Sequence, residues 1–174
     1  MGDRGYPAAT MAETSLRGNT IPTSGDLPAV GSDAPDFTLV QQDLSEANLA
    51  SFAGKKILNI FPSIDTPVCA TSVRTFNEKA GSMDGVTVIN VSADLPFALK
   101  RFCGAEGLEG VTSGSTFRGS FLEDYGMKMA GGPLAGLAAR SIVVIGDDNK
   151  VLHAEVVPDI GQEPDYDKAL AALG

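Results

Sequence analysis

The feature that most constrains the fold is a strand cut off by a proline and followed closely by a helix start. Lys56-Ile57-Leu58-Asn59-Ile60-Phe61 is a short, largely apolar and β-branched run ended by Pro62. That pattern predicts a strand covered on both faces, in a parallel or mixed sheet. Just beyond it, Thr66 suits an N-cap and Pro67 the first helical position, where a missing N–H costs nothing. From there Cys69, Val73, Phe76 and Ala80 recur at helical spacing, so one helix face carries a thiol together with core-facing side chains.

The pattern then returns. Val86-Thr87-Val88-Ile89-Asn90-Val91 predicts a second buried strand, and Asp94 with Pro96 marks a second helix on which Leu95, Leu99 and Phe102 keep helical spacing. Cys103 falls near the end of that helix, where Gly104 can close it. Strand, helix, strand and helix in this order predict an α/β thioredoxin-like fold, a central mixed sheet flanked by helices. Leu16 to Pro28, with turn signals at Gly18-Asn19 and Ser24-Gly25-Asp26, predicts an N-terminal β-hairpin, and Phe37 to Val40 another strand. Phe121 to Tyr125 reads as a short helix, Ile142 to Ile145 as a strand turning through Gly146-Asp147-Asp148-Asn149 into Val151 to Val157, and Pro164 to Leu173 as a final helix.

Charge and cysteine usage narrow the function. Thirteen basic against 22 acidic residues leave a net charge of −9, which argues against a nucleic-acid partner because few cations are present to replace phosphate counterions. No apolar run is long enough to span a membrane. The 174 residues, 43% of them hydrophobic, suit one domain with a sizeable core. Met1 to Thr10 has no apolar segment of the signal-peptide kind, and Tyr6 stands where a myristoylation pattern requires Ser or Thr. These residues read as a disordered leader.

Two cysteines are too few for a disulfide framework and point to a reactive thiol with a partner. Their spacing fits neither a zinc ribbon nor a Cys-x-x-Cys centre, and with one histidine, His153, they leave zinc short of a fourth ligand. Neither a metal nor another cofactor is expected. Gly131-Gly132-Pro133 and Gly136 fit no phosphate-loop pattern and read as turn glycines.

Cys69 is different, because the free N–H groups and positive dipole end of a helix favour an anion, and a thiolate is the anion that a cysteine offers. The Thr66 hydroxyl is placed to reach a sulfur or a bound oxygen, and Pro62 to shield the site from water. Arg140 directly precedes the Ser141–Ile145 strand, where its stem can lie on the core. Taken alone, these residues favour a buried structural cysteine behind an ordinary cap and a surface arginine at a strand end.

The longer text around Cys69 resembles a known family. Pro62-x-x-x-Thr66-x-x-Cys69 is similar to the peroxidatic signature of the peroxiredoxins, and Asn59 to Arg74, Ser92 to Ala98 and Arg101 to Gly107 resemble their bacterial thiol peroxidase branch, the atypical two-cysteine peroxiredoxins. Asp124-Tyr125-Gly126, Gly132-Pro133-Leu134, Gly136 to Arg140 and Glu163 to Tyr166 follow the same family in order. Met11 to Asn19 resembles the start of these proteins, so residues 1–14 read as a leader or expression scar and residues 15–174 as a single peroxiredoxin domain.

The resemblance implies a thioredoxin-dependent hydroperoxide reductase. Cys69 would be the peroxidatic nucleophile, Cys103 the resolving cysteine, and Thr66, Arg140 and Pro62 the groups around the reacting sulfur. A Cys69–Cys103 disulfide would be reduced by thioredoxin. Arg74, further along the Cys69 helix, should face elsewhere. Hydrogen peroxide and alkyl or lipid hydroperoxides are the expected substrates, with Val68, Phe61 and Leu134 lining a shallow apolar site. The family also implies a homodimer, and reactive thiol chemistry with a reducing partner points to the bacterial cytoplasm. A redox sensor passing oxidation to a partner, or an inert module carrying both cysteines, stands as the alternative.

Overall fold

The computed structural model describes residues 12–174; the expected leader, Met1 to Thr10, falls outside the described residues. A two-stranded hairpin comes first, β1 (Glu13–Leu16) and β2 (Asn19–Pro22), followed by the short strands β3 (Leu39–Val40) and β4 (Glu46–Ala47). The central units are β5 (Lys55–Ile60), α1 (Pro67–Ala80), β6 (Val86–Ser92), α2 (Pro96–Glu106) and β7 (Val111–Ser115). The chain ends with α3 (Phe121–Asp124), β8 (Ser141–Ile145), β9 (Val151–Val156) and α4 (Tyr166–Ala171). The hairpin takes in Glu13 and Thr14, which the sequence had suggested were part of the leader, because Thr14 is buried and its hydroxyl donates to the Val157 carbonyl at 3.0 Å.

Seven strands form one mixed sheet in the order β4-β3-β7-β6-β5-β8-β9. The pairs β5–β6 and β6–β7 are parallel, and β8 and β9 add antiparallel beside β5. This is the mixed α/β sheet that the order of elements predicts, with the hairpin as a separate two-stranded unit.

Alternation along β5 sets the two sides of the core. Leu58 and Ile60 join Ile89, Val91, Val143 and Ile145 on one face, where Phe37, Phe121 and Tyr125 cover them. Ile57 joins Val88, Ile142 and Val144 on the other face, under Phe76 and Ala80 of α1 and Ala169 of α4. Period-two alternation puts Asn59 and Phe61 on this second face. Phe61 duly packs with Ile64, Cys69, Val73 and Leu99, which seats the first turn of α1 and the middle of α2 over the end of β5.

Two elements differ from the sequence expectation for clear reasons. The helix bearing Cys103 does not end at Gly104 but runs to Glu106 and closes at Gly107, whose φ of 64° is the left-handed cap conformation. Strand β7 carries Ser113, Gly114 and Ser115 and gives little strand signal. It is a strand because it pairs in parallel with β6 from Val111 to Ser115, and position 114 is glycine because a Cβ there would lie 2.8 Å from the Leu39 side chain.

Candidate active site around Cys69

β5 ends at Ile60, and the chain passes through Phe61 and Pro62 and loops through residues 63–66 before entering α1. Asp94 fixes that loop from β6's side of the sheet, accepting from the Ser63 hydroxyl at 2.8 Å and the Ile64 N–H at 2.7 Å. Thr66 has the extended backbone of an N-cap and Pro67 stands at the start of the helix. The Thr66 hydroxyl, however, donates to the Ser63 carbonyl at 2.8 Å instead of capping. The N–H groups of Val68 and Cys69, which a capping side chain serves, are therefore left without that partner.

Cys69 is fully buried and Cys103 nearly so, and both are free thiols. Arg140, only 1% exposed, reaches Cys69 from the residue before β8: its Nη2 donates to Cys69 Sγ at 3.3 Å and to the Ile160 carbonyl at 2.9 Å. Its Nε also points at Ile160, at 3.3 Å, while Nη1 is buried and has no hydrogen-bond partner among the described residues. A guanidinium held on two sides with one nitrogen unspent keeps donor capacity free beside the sulfur. Arg74 turns away and makes a paired contact with Glu106 of α2, at 2.9 and 2.8 Å, over the ring of Phe102.

Cys103 lies in a different setting. Its Sγ is 3.7 Å from Ser113 Oγ on β7. Burial pushes the Cys103 thiol up, and hydrogen bonds with Ser113 and Gln42 offset part of that rise. Ser113, Asn90, Asn59 and Ile142 stand side by side across β7, β6, β5 and β8. That is three strand spacings, roughly 14 Å, between the strand that faces Cys103 and the strand that delivers Arg140. Within this row Asn59 donates to Asn90 at 3.1 Å and to Ser72 at 3.3 Å, and Ser72 donates to the Cys69 carbonyl at 2.8 Å. Sequence reading missed this buried polar row, whose only signal is an asparagine at matching places in two apolar strands.

A cavity of about 600 Å³ opens at the start of α1, lined by Pro62, Ser63, Thr66, Pro67 and Val68 from the α1 side, Pro133, Leu134, Leu137 and Arg140 from the segment before β8, Ile160 and its neighbours, and Leu16 and Arg17 of the hairpin. Cys69 itself is fully buried and reaches this wall through Arg140, which lines the cavity and bonds its sulfur. Pro62 is buried and forms part of this wall. Val68 and Leu134 line the cavity as expected, but Phe61 does not: it belongs to the core face under α1 and is fully buried. The contribution of Leu16 and Arg17 was not legible in the sequence. A second cavity of similar volume along β9 is lined by His153, Glu155, Glu163 and Asp165, and Arg140 takes no part in it.

Comparison with known proteins gives the family and the fold. The redoxin family model matches residues 29–170, and the thiol peroxidase of Mycobacterium tuberculosis is 62% identical over 165 residues, covering 94% of this chain and 99% of its own. This chain belongs to the redoxin family, on its thiol peroxidase branch. The thiol peroxidase of Corynebacterium glutamicum is 54% identical over 164 residues, with coverage of 94% and 99%. Among solved structures, a peroxiredoxin-like protein from Aquifex aeolicus superposes with a TM-score of 0.87 at 39% identity, covering 92% of this chain and 95% of its own. The thiol peroxidase from Chromobacterium violaceum gives 0.85 at 25% identity, covering 91% and 94%. The fold is thus the thioredoxin-like fold of the peroxiredoxins, and the activity is that of a peroxiredoxin-type thiol peroxidase. No helix among the described residues is long and apolar enough to cross a membrane.

Proposed function

We propose that the protein reduces hydrogen peroxide and organic hydroperoxides through a Cys69 sulfenic acid and an intrachain Cys69–Cys103 disulfide that thioredoxin reduces. The observation that carries this reading is the buried Arg140 guanidinium, bonded to Cys69 Sγ with Nη1 unpartnered. In the first step the Cys69 thiolate attacks the terminal oxygen of the hydroperoxide. The O–O bond breaks, its electron pair leaves on the distal oxygen, and a proton completes water or an alcohol. Arg140 Nη1 and the uncapped first-turn N–H groups supply donors where negative charge develops. Thr66 and Pro62 shape the wall; the Thr66 hydroxyl, already donating to Ser63, keeps its acceptor lone pairs for a hydroperoxide proton.

In the second step Cys103 sulfur attacks the Cys69 sulfenic sulfur, an S–S bond forms and water leaves. A disulfide needs Cα atoms within about 7 Å, whereas both thiols here are buried on folded helices. The first turn of α1 and the last turn of α2 therefore unwind before the bond closes. Helix ends open at low cost, and the links across them, Arg74–Glu106 and Arg101–Asp65, are exposed ion pairs. Two electrons from a thioredoxin dithiol then restore both thiols. Reactive thiol chemistry with a reducing partner points to the bacterial cytoplasm, and the family resemblance adds a homodimer; Leu95 and Phe97, 52% and 63% exposed at the start of α2, offer that contact an apolar surface.

The test is turnover coupled to thioredoxin, thioredoxin reductase and NADPH for the native protein, Cys69→Ser and Cys103→Ser. The reading expects sustained turnover, none, and about one equivalent of peroxide consumed, in that order. Sustained thioredoxin-supported turnover by Cys103→Ser would overturn the resolving role, and turnover by Cys69→Ser the peroxidatic one.

A further inference from the structure

The hairpin places an arginine where the backbone disfavours it. β1 and β2 pair to Leu16↔Asn19, leaving Arg17 and Gly18 as a two-residue turn with φ of 51° and 82°. Positive φ at both positions makes this the turn type that selects Asn, Asp or Gly. Gly18 meets that demand, whereas Arg17 sits in the left-handed region at a steric cost. No local contact accounts for the choice, because Arg17 is exposed and takes part in no hydrogen bond or ion pair among the described residues. A strained residue of this kind that borders a functional cavity is a candidate for a functional role.

Arg17 does border one. It is an exposed member of the cavity lining that also holds Arg140, the residue bonded to Cys69, and that includes Leu16, Leu134, Leu137 and Ile160. Its position is fixed by β1, since Ser15 donates to the Pro158 carbonyl at 2.9 Å and to Asp159 at 2.8 Å, and the Ile160 N–H donates back to the Ser15 carbonyl at 2.8 Å. The one carboxylate in the cavity wall, Asp159, is held by Ser15 and by the Gly161 N–H at 2.8 Å. The cavity therefore has an apolar wall, a guanidinium beside the reacting sulfur and a second, uncommitted guanidinium at the rim. Its volume of about 600 Å³ far exceeds what hydrogen peroxide fills.

We infer that Arg17 determines specificity by binding the carboxylate of an amphiphilic hydroperoxide, an apolar chain with an acid at one end and the peroxide within reach of Cys69. This inference rests on the peroxidase reading above. The net charge of −9 repels anions from the molecule as a whole, so a cation at the rim is what lets an anionic substrate approach. The paired oxygens of a carboxylate match the planar fork of a guanidinium.

The test compares a fatty-acid hydroperoxide with its methyl ester, each rate normalised to that of the same protein with hydrogen peroxide. The native protein prefers the free acid by about fivefold, the size of a charge contact at an exposed site. Arg17→Asn, which suits the left-handed turn and keeps the hairpin, removes the preference, and Arg17→Lys retains part of it. A merely structural role for Arg17 would change acid and ester alike. Equal rates for acid and ester in the native protein, or an unchanged ratio in Arg17→Asn, overturn the inference and leave the peroxidase reading standing. Failure of the native protein to reduce any hydroperoxide overturns both.

Discussion

Replacing Arg140 by Met separates what this side chain does for the reaction from what it does for the fold. Methionine fills much of the same volume without a charge or donor. The change removes the 3.3 Å bond to Cys69 Sγ and the unpartnered Nη1, the donor that the proposed mechanism sets against the developing charge. Loss of a donor of this kind costs a factor of about 10² to 10³ in rate, or about 2.7–4 kcal/mol of barrier. On the structural side, the Ile160 carbonyl loses both of its Arg140 donors, worth about 1–3 kcal/mol if the oxygen stays dry. Against that stands the removal of a buried cation whose hydrogen bonds go only to a carbonyl and a sulfur, which relieves a desolvation cost of similar sign and size. Stability should thus change by less than about 2 kcal/mol while the peroxide step slows at least a hundredfold.

Hydrogen peroxide is the right probe for this comparison, because it makes no use of the apolar wall. The chain has no tryptophan, so oxidation is followed by rapid quench and alkylation of the remaining thiol, and stability by urea denaturation. Arg140→Lys, with the charge but not the fork, should fall between the two. A folded Arg140→Met protein that is oxidised within about threefold of the native rate would refute the role assigned to the guanidinium.

Further outcomes follow from the fold around the site. Gly114→Ala pushes a methyl to within 2.8 Å of Leu39 and should lower urea-denaturation stability by about 1–3 kcal/mol while leaving the peroxide step intact. Burial raises the Cys103 thiol above its ordinary range. Above that range the unfolded chain gives up this proton while the folded chain holds it, so stability falls as pH rises from the ordinary thiol range toward the folded-state value. Cys103→Ser should remove that part of the slope, and an identical alkaline slope in both proteins would contradict the assignment. Amide exchange at 68–70 and 103–106 should be faster in the oxidised protein than in the reduced one, with β5 and β6 unchanged; equal exchange in both states would exclude the unwinding step.

How much of this was legible in the sequence depends on the range of the interaction. Thr66, Pro67 and the spacing of Cys69, Val73, Phe76 and Ala80 are local signals, and they place the thiol in the first turn of α1. The Arg140 contact spans 71 positions and exists because β8 lies antiparallel beside β5. No spacing rule encodes that pairing, so only the family resemblance brought the two residues together. The same limit hid Arg17, since Gly18 announces a turn but not the cavity it overhangs. The other misses are tertiary overrides of local preference. Gly104 gives way to Gly107 as the helix stop, with Arg74 of α1 holding Glu106 in the last turn. The alternation that buries Phe61 is set by Ile57 and Asn59 before it. Strand β7 survives weak propensity because β6 pairs with it along its whole length, and Gly114 leaves room for Leu39.

The most direct test of the account is peptide mapping by mass spectrometry after fully reduced protein is mixed with one equivalent of cumene hydroperoxide and quenched within the first turnover. A single intrachain bond joining Cys69 to Cys103, with no sulfinic acid on either, is the predicted product. Sulfenic or sulfinic acid on Cys69 with Cys103 still a free thiol, or bonds only between chains, would contradict it.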